Sequence, residues 1–91
     1  MTILVLGGGQ QGRVIAADLA ESLPRVRVDV ADVCEPALPP RANLRWVEAD
    51  LADAGALARR MSEYDLVVGA LPSRLGFGAM RAAIDARRPL V

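Results

Sequence analysis

The sequence predicts an α/β chain built in three layers around a doubly wound parallel sheet, and three observations predict it. An apolar run, Thr2-Ile3-Leu4-Val5-Leu6, passes directly into the turn Gly7-Gly8-Gly9-Gln10-Gln11-Gly12-Arg13 and then into a helix-patterned stretch. A second apolar run, Val26-Arg27-Val28-Asp29-Val30-Ala31, ends on an acid, Asp32, about twenty residues beyond Gly12. From there apolar runs of strand length and runs with helical period alternate, which implies parallel strands joined by crossovers.

The elements follow in order. The first strand covers residues 2–6, and the first helix runs over 11–22 until Pro24 stops it. Ile15, Leu19 and Leu23 recur at four-residue spacing beside Ala16 and Ala20 as its expected inward stripe, with Arg13, Asp18 and Glu21 off that stripe. After the strand at 26–31, the run Cys34-Glu35-Pro36-Ala37-Leu38-Pro39-Pro40 stands where a crossover helix belongs. Pro36 suits a first helical turn but Pro39 and Pro40 break any continuation, so one turn or an irregular loop is expected. A strand at 44–49 leads to a helix at 53–62, capped by Asp53 and facing inward through Ala54, Leu57, Ala58 and Met61, with Arg59, Arg60 and Glu63 toward water. A strand at 65–70 is followed by a helix over about 75–87, with Phe77, Met80 and Ile84 inward and Arg81 paired to Asp85. Right-handed crossovers then give the sheet order 3-2-1-4, with a fifth strand starting at Pro89.

The 91 residues suit one domain, 1–91, with no room for a second, catalytic one. The fifth strand has barely begun at Val91, so the chain is expected to be cut from something longer. Eleven arginines balance eleven acids, which argues against nucleic acid or an anionic membrane as partner. There is no Lys or His, which removes the commonest groups for proton transfer and Schiff-base chemistry. Trp46, Tyr64 and Phe77 are the only aromatics, too few for a base-stacking platform. One cysteine, no charged leader and no long apolar span lead to the expectation of a cytoplasmic location. No cluster has metal-ligand spacing, so no metal is expected.

Strand, glycine-rich turn, helix and distal acid together point to a dinucleotide. Gly7 permits the tight turn, Gly9 lets backbone approach a pyrophosphate, and Gly12 lets the helix pack close to the strand. Gln10, Gln11, Gly12 and Arg13 open the helix, whose unpaired N–H groups and dipole favour an anion. Asp32 accepts from the adenosine ribose hydroxyls in this reading, and the alternative is a plain turn residue. Neither Val33 nor Cys34 supplies a cation for a 2′-phosphate, so NAD is expected over NADP, with Arg13, Arg41 and Arg45 as the cations able to fold in. Asp50 and Leu51, closing the third strand, are candidates for the adenine amino group and ring face, with Asp50 as a turn acid the competing reading. Ala70, Leu71 and Pro72 end the fourth strand beside the glycine turn, where backbone can approach the pyrophosphate and nicotinamide ribose. Ser73 and Arg74 either touch ligand or cap the third helix. Cys34 has no flanking cation and is read as structural. Tyr64 and Asp65 lie at the amino end of the fourth strand, away from the ligand edge, where solvent contact and the start of the strand are their expected roles.

The succession Ile3 to Arg13, Val28-Asp29-Val30-Ala31-Asp32, Asp50-Leu51-Ala52-Asp53 and Asp65-Leu66-Val67-Val68-Gly69-Ala70-Leu71-Pro72 resembles the amino-terminal NAD(P)-binding, Rossmann-type domain of the saccharopine dehydrogenase family, over nearly all of residues 2–91. Met80 to Ala86 is similar to the helix before that family's fifth strand. The resemblance implies pyridine-nucleotide-dependent oxidation of an amino-acid-derived secondary amine. It also implies that the substrate domain and the proton-transferring residues lie in sequence not present here. No catalytic residue is named, and the chain by itself is expected to be inactive. Gly69 departs from the family, whose members often carry Asn there.

A different class of function shares these features: a regulatory module in which NAD or another adenine nucleotide shifts a conformational equilibrium without turnover. A homo-oligomer is compatible with either reading. An extended short-chain reductase is disfavoured, because Leu6 stands where its first glycine would be and no lysine exists for its Tyr-Lys pair.

Overall fold

The computed structural model describes residues 1–70, 86, 90 and 91. Its elements are β1 (Thr2–Leu6), α1 (Gln10–Ser22), β2 (Arg27–Asp32), β3 (Leu44–Glu48), α2 (Ala54–Met61) and β4 (Leu66–Gly69). All strand pairs are parallel and the order is β3-β2-β1-β4, so the topology expected of a doubly wound sheet is present. Val67 bridges Leu90 in parallel, and the Val91 N–H donates to the Val67 carbonyl at 2.9 Å, so the last two residues extend the sheet beyond β4. The helix expected over 75–87 lies outside the described residues except for Ala86, as do Leu71, Pro72, Ser73 and Arg74.

Alternation along the central strands sorts the core into two faces. Ile3, Val5, Val28, Val30 and Leu44 pack with Ala16 and Ala20 of α1. Leu4, Leu6, Ala31 and Val67 pack with Leu57 and Met61 of α2 and with Leu51 and Tyr64. The segment between β2 and β3 holds no helix, as its prolines require, and its Leu38 covers part of the α1 face.

The inward face of α1 differs from the expected stripe. Gly12, Ala16 and Ala20 are its buried residues, Leu19 only flanks the cluster, and Leu23 is exposed. Small side chains at four-residue spacing let the helix axis lie close to the sheet, so the bulkier Ile15–Leu19–Leu23 row is rotated outward. Asn43, just before β3, closes the far end of the helix: its Nδ2 donates to the carbonyls of Ala20, Leu23 and Val26 at 3.0, 3.3 and 2.9 Å. No basic residue occupies that last turn, so the amide supplies the donors the orphan carbonyls need.

Tyr64 does not meet solvent as expected. Its ring is buried on the α2 face, and its hydroxyl donates to Asp29 Oδ2 at 2.6 Å. Asp29 is fully buried in the middle of β2 and also accepts from Arg45 Nε and Nη2 at 2.9 and 3.2 Å, with Arg27 Nε 3.5 Å away. Arg27 in turn lies 5.8 Å from the centre of the Tyr64 ring. A buried carboxylate is tolerable only with such partners. Position along a strand shows which end a residue occupies, whereas Tyr64 follows α2 and is turned under the sheet by that helix. Asp65 ties β4 to β1, accepting from the Thr2 N–H at 2.8 Å.

Burial, then the hydrogen bond to Asp29 and the charge of that carboxylate, push the Tyr64 hydroxyl up to about 12. The folded value lies above the unfolded one near 10, so this group's stabilisation is complete below about pH 10 and is lost as pH rises toward 12. Equilibrium unfolding measured from pH 9 to 12 should show stability falling across that window. Tyr64→Phe should flatten the fall and cost about 1–2 kcal/mol at neutral pH, because Asp29 loses a donor.

Candidate dinucleotide site

The site is built where β1 hands over to α1. Gly7 adopts φ 96°, a backbone region L side chains rarely enter, and its N–H donates to the Ala31 carbonyl at 2.9 Å, which pins the turn to β2. A Cβ on Gly12 would overlap the Gly7 carbonyl oxygen, so the helix start rests directly on the turn. A Cβ on Gly8 would stand 2.9 Å from Pro36 Cβ and 3.3 Å from Asp32 Oδ2. At Gly9 a Cβ would meet nothing within 4 Å, so that residue faces open space.

Gly9 is also the N-cap of α1, without a side-chain capping bond, and the first turn carries no acid. The first N–H groups of a helix lack intrahelical acceptors, and in α1 that open end starts at the exposed Gly9. Gln10, Gln11, Val14 and Ile15 line an open groove along this end of α1. Gln10 and Gln11 are exposed and Arg13 is half-buried.

Asp32 ends β2 with its carboxylate turned to the glycine turn. Oδ2 accepts from the Gly8 N–H and Oδ1 from the Val33 N–H, each at 2.7 Å. A carboxylate has about four acceptor positions, so roughly two remain uncommitted. Among the described residues no ion pair reaches Asp32: Arg45 and Arg27 hold Asp29, and Arg41 lies 3.8 Å from Glu21. Two of the three cations considered for a 2′-phosphate are thus engaged elsewhere, leaving Arg13 in α1. Val33 is exposed beside the carboxylate.

The remaining candidates are distributed unevenly. Asp50 is exposed and its Oδ1 accepts from the Ala52 N–H at 3.0 Å, a local turn bond, while Leu51 is buried in the α2-face core. Ala70 is half-buried, its N–H donating to the Leu6 carbonyl at 3.0 Å, and its Cβ lies 3.5 Å from where a Gly12 Cβ would be. The ends of β1 and β4 are therefore neighbours beside the turn, where the strand order reverses. Two contributors were not singled out from sequence. Gly8 holds the Asp32 carboxylate, and Trp46 donates from Nε1 to the Asp32 carbonyl at 3.1 Å. Gly8 had a signal, being the middle glycine of three, but Trp46 had none. Among the described residues no group of three or more His, Cys, Asp or Glu could hold a metal.

Residues 3–91 match the family model described as the saccharopine dehydrogenase NADP binding domain. The chain belongs to that family. Its members' domain binds NAD(P) in saccharopine dehydrogenase-like oxidoreductases. A search of curated proteins returns no match. Among solved structures the chain is similar to apo saccharopine dehydrogenase (L-Glu forming) from Saccharomyces cerevisiae, with TM-score 0.77 and 19% identity over 98% of this chain and 20% of that one. It is similar to a Rossmann-fold NAD(P)-binding family protein from Shigella flexneri, with TM-score 0.80 and 21% identity over 98% of this chain and 49% of that one. A mutant uronate dehydrogenase from Agrobacterium tumefaciens complexed with NAD aligns with TM-score 0.64 and 29% identity, covering 90% of this chain and 36% of that one. The first two likenesses establish the fold, and the chain spans less than half the length of all three proteins. Among the described residues no helix is long and apolar enough to cross a membrane.

The geometry separates the glycines by role. Gly12→Ala should destabilise the fold by about 2–3 kcal/mol, because its Cβ meets backbone that cannot yield. Gly9→Ala, at φ −69° and facing open space, should change thermal unfolding little. Comparing the two melting curves checks the assignment.

Proposed function

We propose that this domain binds NAD(H) in preference to NADP(H) and is the cofactor half of an oxidoreductase acting on an amino-acid-derived secondary amine. The observation that carries the reading is the Asp32 carboxylate, held at the glycine turn by two N–H donors with acceptor positions left over. Those positions suit the vicinal hydroxyls of an adenosine ribose. A 2′-phosphate there would face an uncompensated negative charge, and Val33 brings no cation. This preference runs against the NADP in the family's description.

In this reading the α1 N-terminus and the bare backbone at Gly9 receive the pyrophosphate, with Gln10, Gln11 and Arg13 beside it. Ala70, Leu71 and Pro72 take the nicotinamide-ribose side, and Asp50 with Leu51 the adenine edge. The cofactor, when bound, supplies hydride transfer, and the domain supplies a fixed orientation. Proton transfer and the second wall of the nicotinamide pocket belong to a substrate domain beyond residues 1–91, so these residues alone turn over no substrate. A single exposed cysteine suits the cytoplasm as the working compartment.

Isothermal titration with NADH and NADPH tests the reading. NADH should bind more tightly, by about tenfold for one lost charge-assisted contact. Equal or reversed affinities would overturn the role of Asp32. Gly9→Leu should abolish binding while the melting temperature holds, since its side chain would occupy the space assigned to phosphate.

A further inference from the structure

Asp32 is the last residue of β2, and the chain beyond it enters a helix-free segment, so nothing regular fixes the carboxylate from that side. Its orientation is set from two sides, by the Gly8 N–H on Oδ2 at 2.7 Å and by the peptide unit that joins Asp32 to Val33 on Oδ1. The N–H end of that unit, on Val33, holds carboxylate Oδ1 at 2.7 Å. The carbonyl end accepts two bonds: one from the Ala49 N–H at 3.0 Å and one from Trp46 Nε1 at 3.1 Å. Because a peptide unit is planar, clamping its carbonyl also clamps its N–H. The Ala49 bond is a main-chain bond that any residue there would make. The Trp46 bond is a property of one side chain, reaching forward along β3 from its position opposite Val30.

We propose that Trp46 is a positioning residue for ribose recognition: its indole N–H locks the Asp32–Val33 peptide plane and through it the carboxylate that reads the sugar hydroxyls. This rests on the Asp32 reading above and deepens it. Trp46 is half-buried, so its N–H needs an acceptor that water cannot freely replace, and the Asp32 carbonyl is that acceptor. With the donor removed, the carbonyl keeps one bond and the plane gains freedom to rotate. The carboxylate then spends less time in the orientation that accepts from a diol.

The test is a cycle of four proteins, wild type, Trp46→Phe, Asp32→Ala and the double variant, each titrated with NADH and NADPH after its unfolding curve is recorded. Trp46→Phe should weaken NADH binding about fivefold, the range of one hydrogen bond, and leave NADPH nearly unchanged, narrowing the preference. In the Asp32→Ala background the same change should add nothing, because Trp46 acts through that carboxylate. Should Trp46→Phe fail to fold, the donor can be deleted at constant shape. The chain contains one tryptophan, so biosynthetic replacement by 3-benzothienylalanine exchanges only that ring N–H for sulfur. Undiminished preference in either form, or equal additive losses for both cofactors, overturns the positioning role and leaves the Asp32 reading intact. Wild-type protein that does not distinguish the two cofactors removes both.

Discussion

The contact on which everything else depends is that between Gly12 and the Gly7 carbonyl, where α1 rests on the end of β1 with no room for a Cβ. That approach aims the helix N-terminus across the carboxyl edge of the sheet and leaves the Gly9 backbone bare. The alanines one and two turns on, at 16 and 20, keep the helix close along its length. The α1 face is thus packed from small residues on the helix and branched ones on the strands, and the open helix N-terminus is a consequence of that packing.

The two ends of the sheet have separate tasks. From the middle of the sheet toward its amino side, Asp29 gathers Arg27, Arg45 and Tyr64, and Asp65 ties β4 to Thr2. These groups satisfy one another, and the hydrogen bond and charge of Asp29 raise Arg45 still further above its ordinary range. At the carboxyl side the polar groups are left partly unsatisfied: the first turn of α1 has no capping side chain, and Asp32 spends only part of its acceptor capacity on the protein. Polar groups are saturated on one side of the sheet and keep spare hydrogen-bonding capacity on the other.

The strand runs, the parallel alternation and the turn chemistry were legible because each is a local pattern. β1, β2 and β3 fall within a residue of the expected bounds, β4 begins one residue later, and Asp53 caps α2 through the Ala56 N–H as its sequence context implies. The missing crossover helix followed from Pro39 and Pro40. Less legible was which face of α1 turns inward, since Ile15-Leu19-Leu23 and Gly12-Ala16-Ala20 are both spaced by four. Hydrophobicity favours the first row and close approach favours the second. The burial of Tyr64 is not legible in the sequence, because its place along the strand can be read there and its neighbours across the sheet cannot.

The amino-acid order alone determined the fold class, the glycine turn and the acid at the end of β2, because these depend on residues near one another in the chain and on side-chain periodicity. The tertiary structure decided the partners: that Asp29 is buried with two arginines and a tyrosine, that Asn43 closes α1, and that Gly8 holds the Asp32 carboxylate while Trp46 holds its carbonyl. Apart from the Arg27–Asp29 pair, such contacts join residues 14 to 35 positions apart, and only the packing of strands, helices and loops in three dimensions brings them within hydrogen-bonding distance.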